Sequence, residues 1–222
     1  MIDDISPPFR YNFLRKVIYL SYRDYQNARD AAWQILLDCG IDRLPVSLNI
    51  VCRELKIKVL TYEKGARIIQ RTKLDQAAHR TDGMTFYMQN VPVVLYDEKT
   101  LPQRAKFTVA HEVGHIIMGH VKPGYFTVAN REPQPGDAPE EQAANQFAAR
   151  LLAPACVLWG MGVHSAEEIM ELCRISKSAA EFRAHRMAEL YRRNQFLTSP
   201  LERKVYRQFQ PFIREYQNSH QG

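Results

Sequence analysis

The sequence predicts an α+β fold in which short strands lie between helical segments. Apolar residues recur with the period of an α-helix in three segments: 10–38, 100–119 and 140–152. β-branched and aromatic runs with strand character occupy three further segments: 57–62, 84–88 and 91–96. Helices and strands in this order are typical of the α+β class, and the C-terminal part is predicted to be helical.

The composition is that of a soluble globular protein with one sizeable core. Of 222 residues, 45% are hydrophobic and 24% are charged, which argues against a disordered chain. No apolar run approaches the roughly 20 residues that span a bilayer, and the N-terminus lacks the apolar core of a signal peptide. The four cysteines form no CxxC pair and lie among apolar residues, which predicts reduced core thiols. We therefore expect a cytoplasmic protein without a membrane partner.

The first helix, over 10–38, is predicted to end at Cys39-Gly40, because glycine readily adopts the left-handed conformation that terminates helices. A second short helix is expected over 47–55, before the first strand. Residues 63–82 are polar and rich in lysine and arginine, and they are predicted to be irregular.

A hairpin is predicted between the strands 84–88 and 91–96, because Gln89-Asn90 separates them. Pro92 favours an edge position, since proline has no N–H to donate to a neighbouring strand. An edge strand in this hairpin would be able to hold an extended peptide by strand addition.

The helix over 100–119 carries the most informative motif of the chain, His-Glu-Val-Gly-His. His111 and His115 lie one turn apart on the same face. Two imidazoles so placed can bind one tetrahedral zinc ion, and Glu112 can activate the water on that ion as a general base. Gly119 is well placed to end the helix.

Two histidines leave a zinc site incomplete, and the predicted third ligand is Glu141. It lies in the helical segment 140–152, where it borders the apolar face. Glu140 is rotated by about 100° from it and is the weaker candidate. Asn145 lies one turn after Glu141 and could orient one of the two histidines through the ring nitrogen that does not bind the metal.

His120 is the rival third ligand. It lies nine residues after His111, which is about 180° around a continuous helix. A known alternative has a third histidine six residues after the second and a glycine halfway between, but those positions hold Val121 and Met118. His120 would reach the site only if the helix broke at Gly119.

Two stretches of the sequence resemble the ImmA/IrrE family of HExxH metallopeptidases: residues 104–120 and residues 141–154. Softer similarity extends from about Ala28 to about Arg186. Many members have Leu-Met-Pro where this chain has Leu152-Ala153-Pro154. The resemblance implies a gluzincin-like minimal metallopeptidase, with a small mixed sheet packed on the HExxH helix and further helices behind.

The resemblance assigns zinc to His111, His115 and Glu141, and the role of general base to Glu112, which implies a zinc endopeptidase. Members commonly act as anti-repressors of prophages and other mobile elements by cleaving a helix-turn-helix transcriptional repressor, and we expect such a protein substrate. The oxyanion of the reaction needs a second donor besides zinc. Three candidates for it stay open: Tyr125, His164 and His185.

The chain is predicted to have four parts. Residues 1–27 form an N-terminal helical extension, too short for the DNA-binding domain that some relatives carry. Residues 28–160 form the metallopeptidase core. Residues 161–194 form a helical hairpin packed on the core, and 195–222 form a basic, aromatic C-terminal extension.

Two other functions stay open, and in both the zinc site would be mainly structural. Residues 165–187 have a helix-turn-helix pattern with Arg183 and Arg186 on its second helix, which suggests DNA binding but does not favour it, because any helical hairpin gives this pattern. Residues 176–222 carry nine basic against four acidic residues, and so account for five of the net charges of +6. The aromatic side chains of this tail would bind a partner protein or, as we favour, pack a C-terminal helix onto the core.

Overall fold

In the computed structural model, a four-stranded mixed sheet packs against a buried helix, with further helices behind it. The structure describes residues 28–72, 74, 81–122, 126–129 and 139–220, so the predicted N-terminal extension lies outside the described residues. The described elements are α1 (Ala28–Asp38), α2 (Leu48–Glu54), β1 (Lys58–Thr61), α3 (Ala66–Thr72), β2 (Gly83–Met88), β3 (Val91–Tyr96), α4 (Pro102–Met118), β4 (Phe126–Ala129), α5 (Pro139–Leu152), α6 (Ala155–Met161), α7 (Ala166–Cys173), α8 (Lys177–Arg192) and α9 (Pro200–His220). The predicted α+β class is confirmed.

The strands lie in the order β1-β3-β2-β4. β1 runs parallel to β3, whereas β2 is antiparallel to both β3 and β4. The predicted hairpin between β2 and β3 is confirmed. Its two turn residues, Gln89 and Asn90, have φ angles of 48° and 64°, as the tightest hairpin turns require.

The prediction that this hairpin supplies an edge strand is wrong, because β3 pairs with β1 and β2, and β2 pairs with β3 and β4. Pro92 is tolerated there for a reason of register. β1 begins to pair with β3 only at Val93, one residue after the proline. On the β2 side, Pro92 lies opposite Tyr87. This pair is adjacent to the pair Met88–Val91, which closes the turn. Such a pair exchanges no hydrogen bonds, so Pro92 forfeits none.

A helix, α3, lies within the segment 63–82 that was predicted to be irregular. It is short, and Ile69 is its one buried residue, so the sequence shows no helical period there. The helix is stabilised by the sheet. Ile69 packs with Met84, Phe86 and Leu95 in a small cluster on the face of the sheet opposite α4.

Helix α4 is the centre of the fold. All residues from Thr108 to Ile117 are buried, because the sheet covers one side of the helix and α5 the other. The predicted end at Gly119 is confirmed, since this residue adopts a left-handed conformation with φ 76°. A polar motif in the middle of α4 is therefore enclosed by protein on several sides.

The two arginines considered for DNA contact are engaged within the protein. Helices α7 and α8 pack against each other as a hairpin, with Arg174 in a left-handed conformation at the end of α7. Arg183 is 7% exposed and donates a hydrogen bond to the backbone carbonyl of Ala153. Arg186 pairs with Glu189 on its own helix. The buried guanidinium of Arg183 ties the hairpin to the end of α5 and is not available to a duplex.

The C-terminal helix α9 packs on α1 and α6. Phe209 is fully buried, and Phe196 and Tyr206 contact the ring of Trp159 on α6. Gln208 donates hydrogen bonds to two backbone carbonyls at the end of α1 and just after it. Aromatic residues of the tail therefore pack the last helix onto the core, the use favoured from the sequence.

All four cysteines are free and buried, as predicted: Cys39, Cys52, Cys156 and Cys173. Burial is the main cause that raises the pKa of each thiol to about 12. None of the helices in the described part of the chain is long and apolar enough to cross a membrane.

Candidate metal centre

Two neighbouring helices bring together the three predicted ligands. His111 and His115 project from α4, and Glu141 projects from the first turn of α5. Nε2 of His111 lies 3.0 Å from Nε2 of His115. Oε2 of Glu141 lies 3.2 Å from Nε2 of His111, and Oε1 of Glu141 lies 3.3 Å from Nε2 of His115. The ligand atoms of the three side chains therefore lie together, all within 4.8 Å of one another.

This cluster fits a zinc ion in donor type and in spacing. A tetrahedral ion with bonds of about 2.0–2.1 Å separates its donor atoms by about 3.3–3.4 Å, close to the spacing found here. Glu141 is also in the right charge state. Burial raises its pKa, but hydrogen bonds from His111 and His115 outweigh this effect and lower the pKa to about 2. Among the described residues, these three form a group able to hold a metal ion.

The other nitrogen of each histidine contacts a second protein group. Nδ1 of His111 lies 2.9 Å from Oδ1 of Asn145, the residue predicted to orient one of the histidines. Nδ1 of His115 lies 3.0 Å from Nδ1 of His120. His120 therefore approaches His115 from behind, outside the cluster of donor atoms, and Glu140 is exposed on the neighbouring face of α5.

Glu112 lies beneath the sheet, beside the cluster. It is fully buried, and neither carboxylate oxygen has a hydrogen-bond partner in the described part of the chain. Burial raises the pKa of Glu112, against the opposing effect of His111 and His115. The backbone of β2 passes close by, since a Cβ atom on Gly83 would lie 3.5 Å from Cγ of Glu112.

Two residues near the centre were not predicted to take part in it. Thr85 on β2 is fully buried on the α4 side, and its hydroxyl lies near enough to lower the pKa of Glu112 without meeting the geometry of a hydrogen bond. No pattern in the sequence points to Thr85, because its position beside Glu112 depends on how β2 packs across α4. His120 was considered as a ligand only. Burial and the neighbouring His115 lower its pKa to about 4, so it is neutral near pH 7.

The open candidates for a second oxyanion donor find no support. His164 contacts the ring of Tyr191, and His185 is 78% exposed and faces Glu189 on its own helix. Tyr125 lies outside the described residues. The structure thus brings neither described histidine to the cluster of His111, His115 and Glu141.

The contact of α4 with α5 sets the distance between the histidines and Glu141. A Cβ atom on Gly114 would lie 3.0 Å from Cδ1 and 3.3 Å from Cβ of Phe147, tighter than ordinary packing allows. Gly114 therefore permits the close approach of the two helices.

Replacing Gly114 by valine is expected to push α5 away from α4. Overpacking of this kind costs about 1–3 kcal/mol of unfolding free energy, and the displaced Glu141 should weaken zinc binding. Urea unfolding of the metal-free protein and chelator competition measure the two effects. Gln103→Val, at an exposed position of the same helix, is the control and should change neither. A Gly114→Val protein as stable and as tight for zinc as wild type would contradict this account.

The comparisons with known proteins agree with this architecture. Residues 63–185 match the Peptidase_M78 family, described as the IrrE N-terminal-like domain. The match covers more than half of the chain, and the chain belongs to this family of peptidases. The predicted ImmA/IrrE relationship is thereby confirmed. No curated protein and no solved structure matches the chain significantly.

Proposed function

We propose that this chain is a zinc-dependent endopeptidase, in which His111, His115 and Glu141 hold the ion and Glu112 is the general base. One observation carries the proposal. Two imidazole nitrogens and one carboxylate converge at separations of 3.0–3.3 Å, on helices packed directly against each other. Three protein ligands are the number typical of catalytic zinc sites, whereas structural sites usually have four.

In the proposed hydrolysis, the zinc ion and the residues of the chain have separate roles. Zinc, when bound, supplies a Lewis acid that activates water and polarises the substrate carbonyl. Glu112 accepts the proton of the attacking water and passes it to the leaving amine. Its position suits this role, because it follows His111 directly on α4 and both of its oxygens are without a hydrogen-bond partner in the described residues.

The proposed substrate is a helix-turn-helix transcriptional repressor, so that the protein acts as an anti-repressor of a mobile element. Support comes from residues 104–120 and 141–154, which resemble family members that cleave such repressors. A repressor substrate also implies that the protein works in the cytoplasm. DNA binding by the chain itself is less well supported, because Arg183 is buried against Ala153.

Cleavage of a purified repressor tests the proposal. The substrate to test is a purified helix-turn-helix repressor, chosen from the genes that flank the gene of this chain, and mass spectrometry identifies the products. Zinc-loaded protein should cut it at a defined peptide bond. Protein stripped with a chelator should be inactive and should regain activity when zinc is restored. A zinc-loaded protein that leaves this repressor intact would contradict the proposed substrate, and a stripped protein that still cuts would contradict the role of the metal.

A further inference from the structure

The two histidines of the metal centre are oriented alike. Both turn Nε2 toward the point where the donor atoms converge, and both turn Nδ1 away from it. For His111, Nδ1 meets the side-chain oxygen of Asn145 at 2.9 Å. For His115, it meets Nδ1 of His120 at 3.0 Å. Each imidazole is therefore held at its outer nitrogen by a second residue.

The contact between His115 and His120 has one chemically consistent direction when a metal is bound. A nitrogen that binds a cation offers its lone pair, so a neutral His115 carries its proton on Nδ1. That N–H then donates to Nδ1 of His120. His120 can accept only in the neutral form whose proton is on Nε2. The ring planes meet at 71° and the centroids lie 5.0 Å apart, so the rings are not stacked face to face and their nitrogen edges can meet in a hydrogen bond.

The backbone places His120 for this contact. Gly119, with φ 76°, ends α4 and turns the chain out of the helical path. The N–H of His120 then bonds to the carbonyl oxygen of His115 at 3.0 Å. On a continuous helix, a residue five positions after His115 would point about 140° away from it. The left-handed glycine therefore brings the side chain of His120 back onto the outer edge of the His115 ring.

From these contacts we infer that His120 is a positioning residue, which holds the ring of His115 at the angle that presents Nε2 to the metal. The inference rests on the proposed function, since it assumes that His115 is a ligand. His120 touches neither the other donor atoms nor the point they face, so it acts through His115 alone. Loss of an outer partner of this kind typically weakens metal binding by about 10–100-fold.

Three replacements of His120 separate the hydrogen bond from simple packing. Phenylalanine keeps a ring of similar size but removes the acceptor. Asparagine removes most of the ring but keeps an acceptor, because its Oδ1 is bonded to Cγ just as Nδ1 is in histidine. Alanine removes both and cannot clash with its surroundings, so it also serves if the phenylalanine variant fails to fold. His120 is only partly buried, which makes all three tolerable for the fold.

Zinc affinity is measured by competition with a chromophoric chelator, beside thermal melting of each metal-free protein. We expect His120→Phe and His120→Ala to bind zinc about 10–100-fold more weakly than wild type, with melting temperatures close to the wild-type value. His120→Asn should recover most of the affinity. In the cobalt-substituted protein, the visible absorption should change for phenylalanine and alanine and be largely preserved for asparagine.

The outcomes distinguish this inference from the proposed function. Wild-type protein that bound no zinc would overturn both. Tight zinc binding by wild type and equally tight binding by His120→Phe and His120→Ala would overturn the positioning role alone. The same holds if His120→Asn loses as much affinity as the other two, because the acceptor would then be irrelevant. A loss of affinity matched by an equal loss of metal-free stability would assign His120 to packing.

Discussion

Glutamine in place of Glu112 is expected to lower repressor cleavage by about 10²–10⁴-fold while zinc binding stays at the wild-type level. Glutamine has nearly the same size and fits the same buried position beneath β2, but its amide cannot accept a proton at neutral pH. The side chain contributes no atom to the donor cluster of His111, His115 and Glu141, so the affinity for zinc should not depend on it. Single-turnover cleavage and metal analysis of the same sample provide the two measurements.

A matched control for this variant is Glu140→Gln, which makes the same chemical change at an exposed position on α5. It should cleave and bind zinc like wild type. Full activity of Glu112→Gln would remove Glu112 from the mechanism. Loss of zinc together with activity would instead indicate that Glu112 supports the metal site.

Alanine in place of Glu141 should lower zinc affinity by more than the 10–100-fold that the loss of an outer partner typically costs. Glu141 is the one carboxylate of the cluster, and its removal leaves two neutral imidazoles to bind a divalent ion. Equilibrium dialysis against zinc measures the change. Cleavage should be lost at zinc concentrations that saturate wild type.

The neighbouring acid again provides the control for this second variant. Glu140→Ala changes the adjacent, exposed residue of the same helix turn and should bind zinc normally. Unchanged zinc content in Glu141→Ala would contradict the assignment. It would then direct attention to Glu140 or His120 as the third ligand.

Those parts of the centre that depend on helical period alone could be predicted from the sequence. His111 and His115 share a face because they are four residues apart, and the same rule pairs Glu141 with Asn145 on α5. Each of these relations is local, so it survives whatever the helices pack against. The structure places these four residues next to one another.

Relations that depend on long-range packing could not be predicted. The buried position of Thr85 beside Glu112 is set by the register of β2 over α4, and no local pattern encodes that register. Pro92 suggested an edge strand, yet β1 covers β3 from Val93 onward. Helix α3 was missed because one buried isoleucine gives no period.

His120 belongs to an intermediate case. On an unbroken helix it points about 180° away from His111, yet the same sequence carries the signal for a break at Gly119. A glycine at a helix end reverses the sign of φ, and this single torsion moves the next side chain to the other side of the helix axis. Stop signals therefore carry information about the side chains that follow them as well as about helix length.

The burial of the four cysteines has a consequence for metal selection. Soft ions such as Cu(I) and Cd²⁺ prefer thiolate ligands, but the thiols of this protein are buried and have pKa values of about 12. The affinity of the remaining donor set, two imidazoles and a carboxylate, for divalent ions follows the Irving–Williams order, in which Cu²⁺ binds more tightly than Zn²⁺. Which ion such a centre would hold then depends on the metals that the surrounding medium makes available, and metal loading would be a property of that medium as much as of the chain.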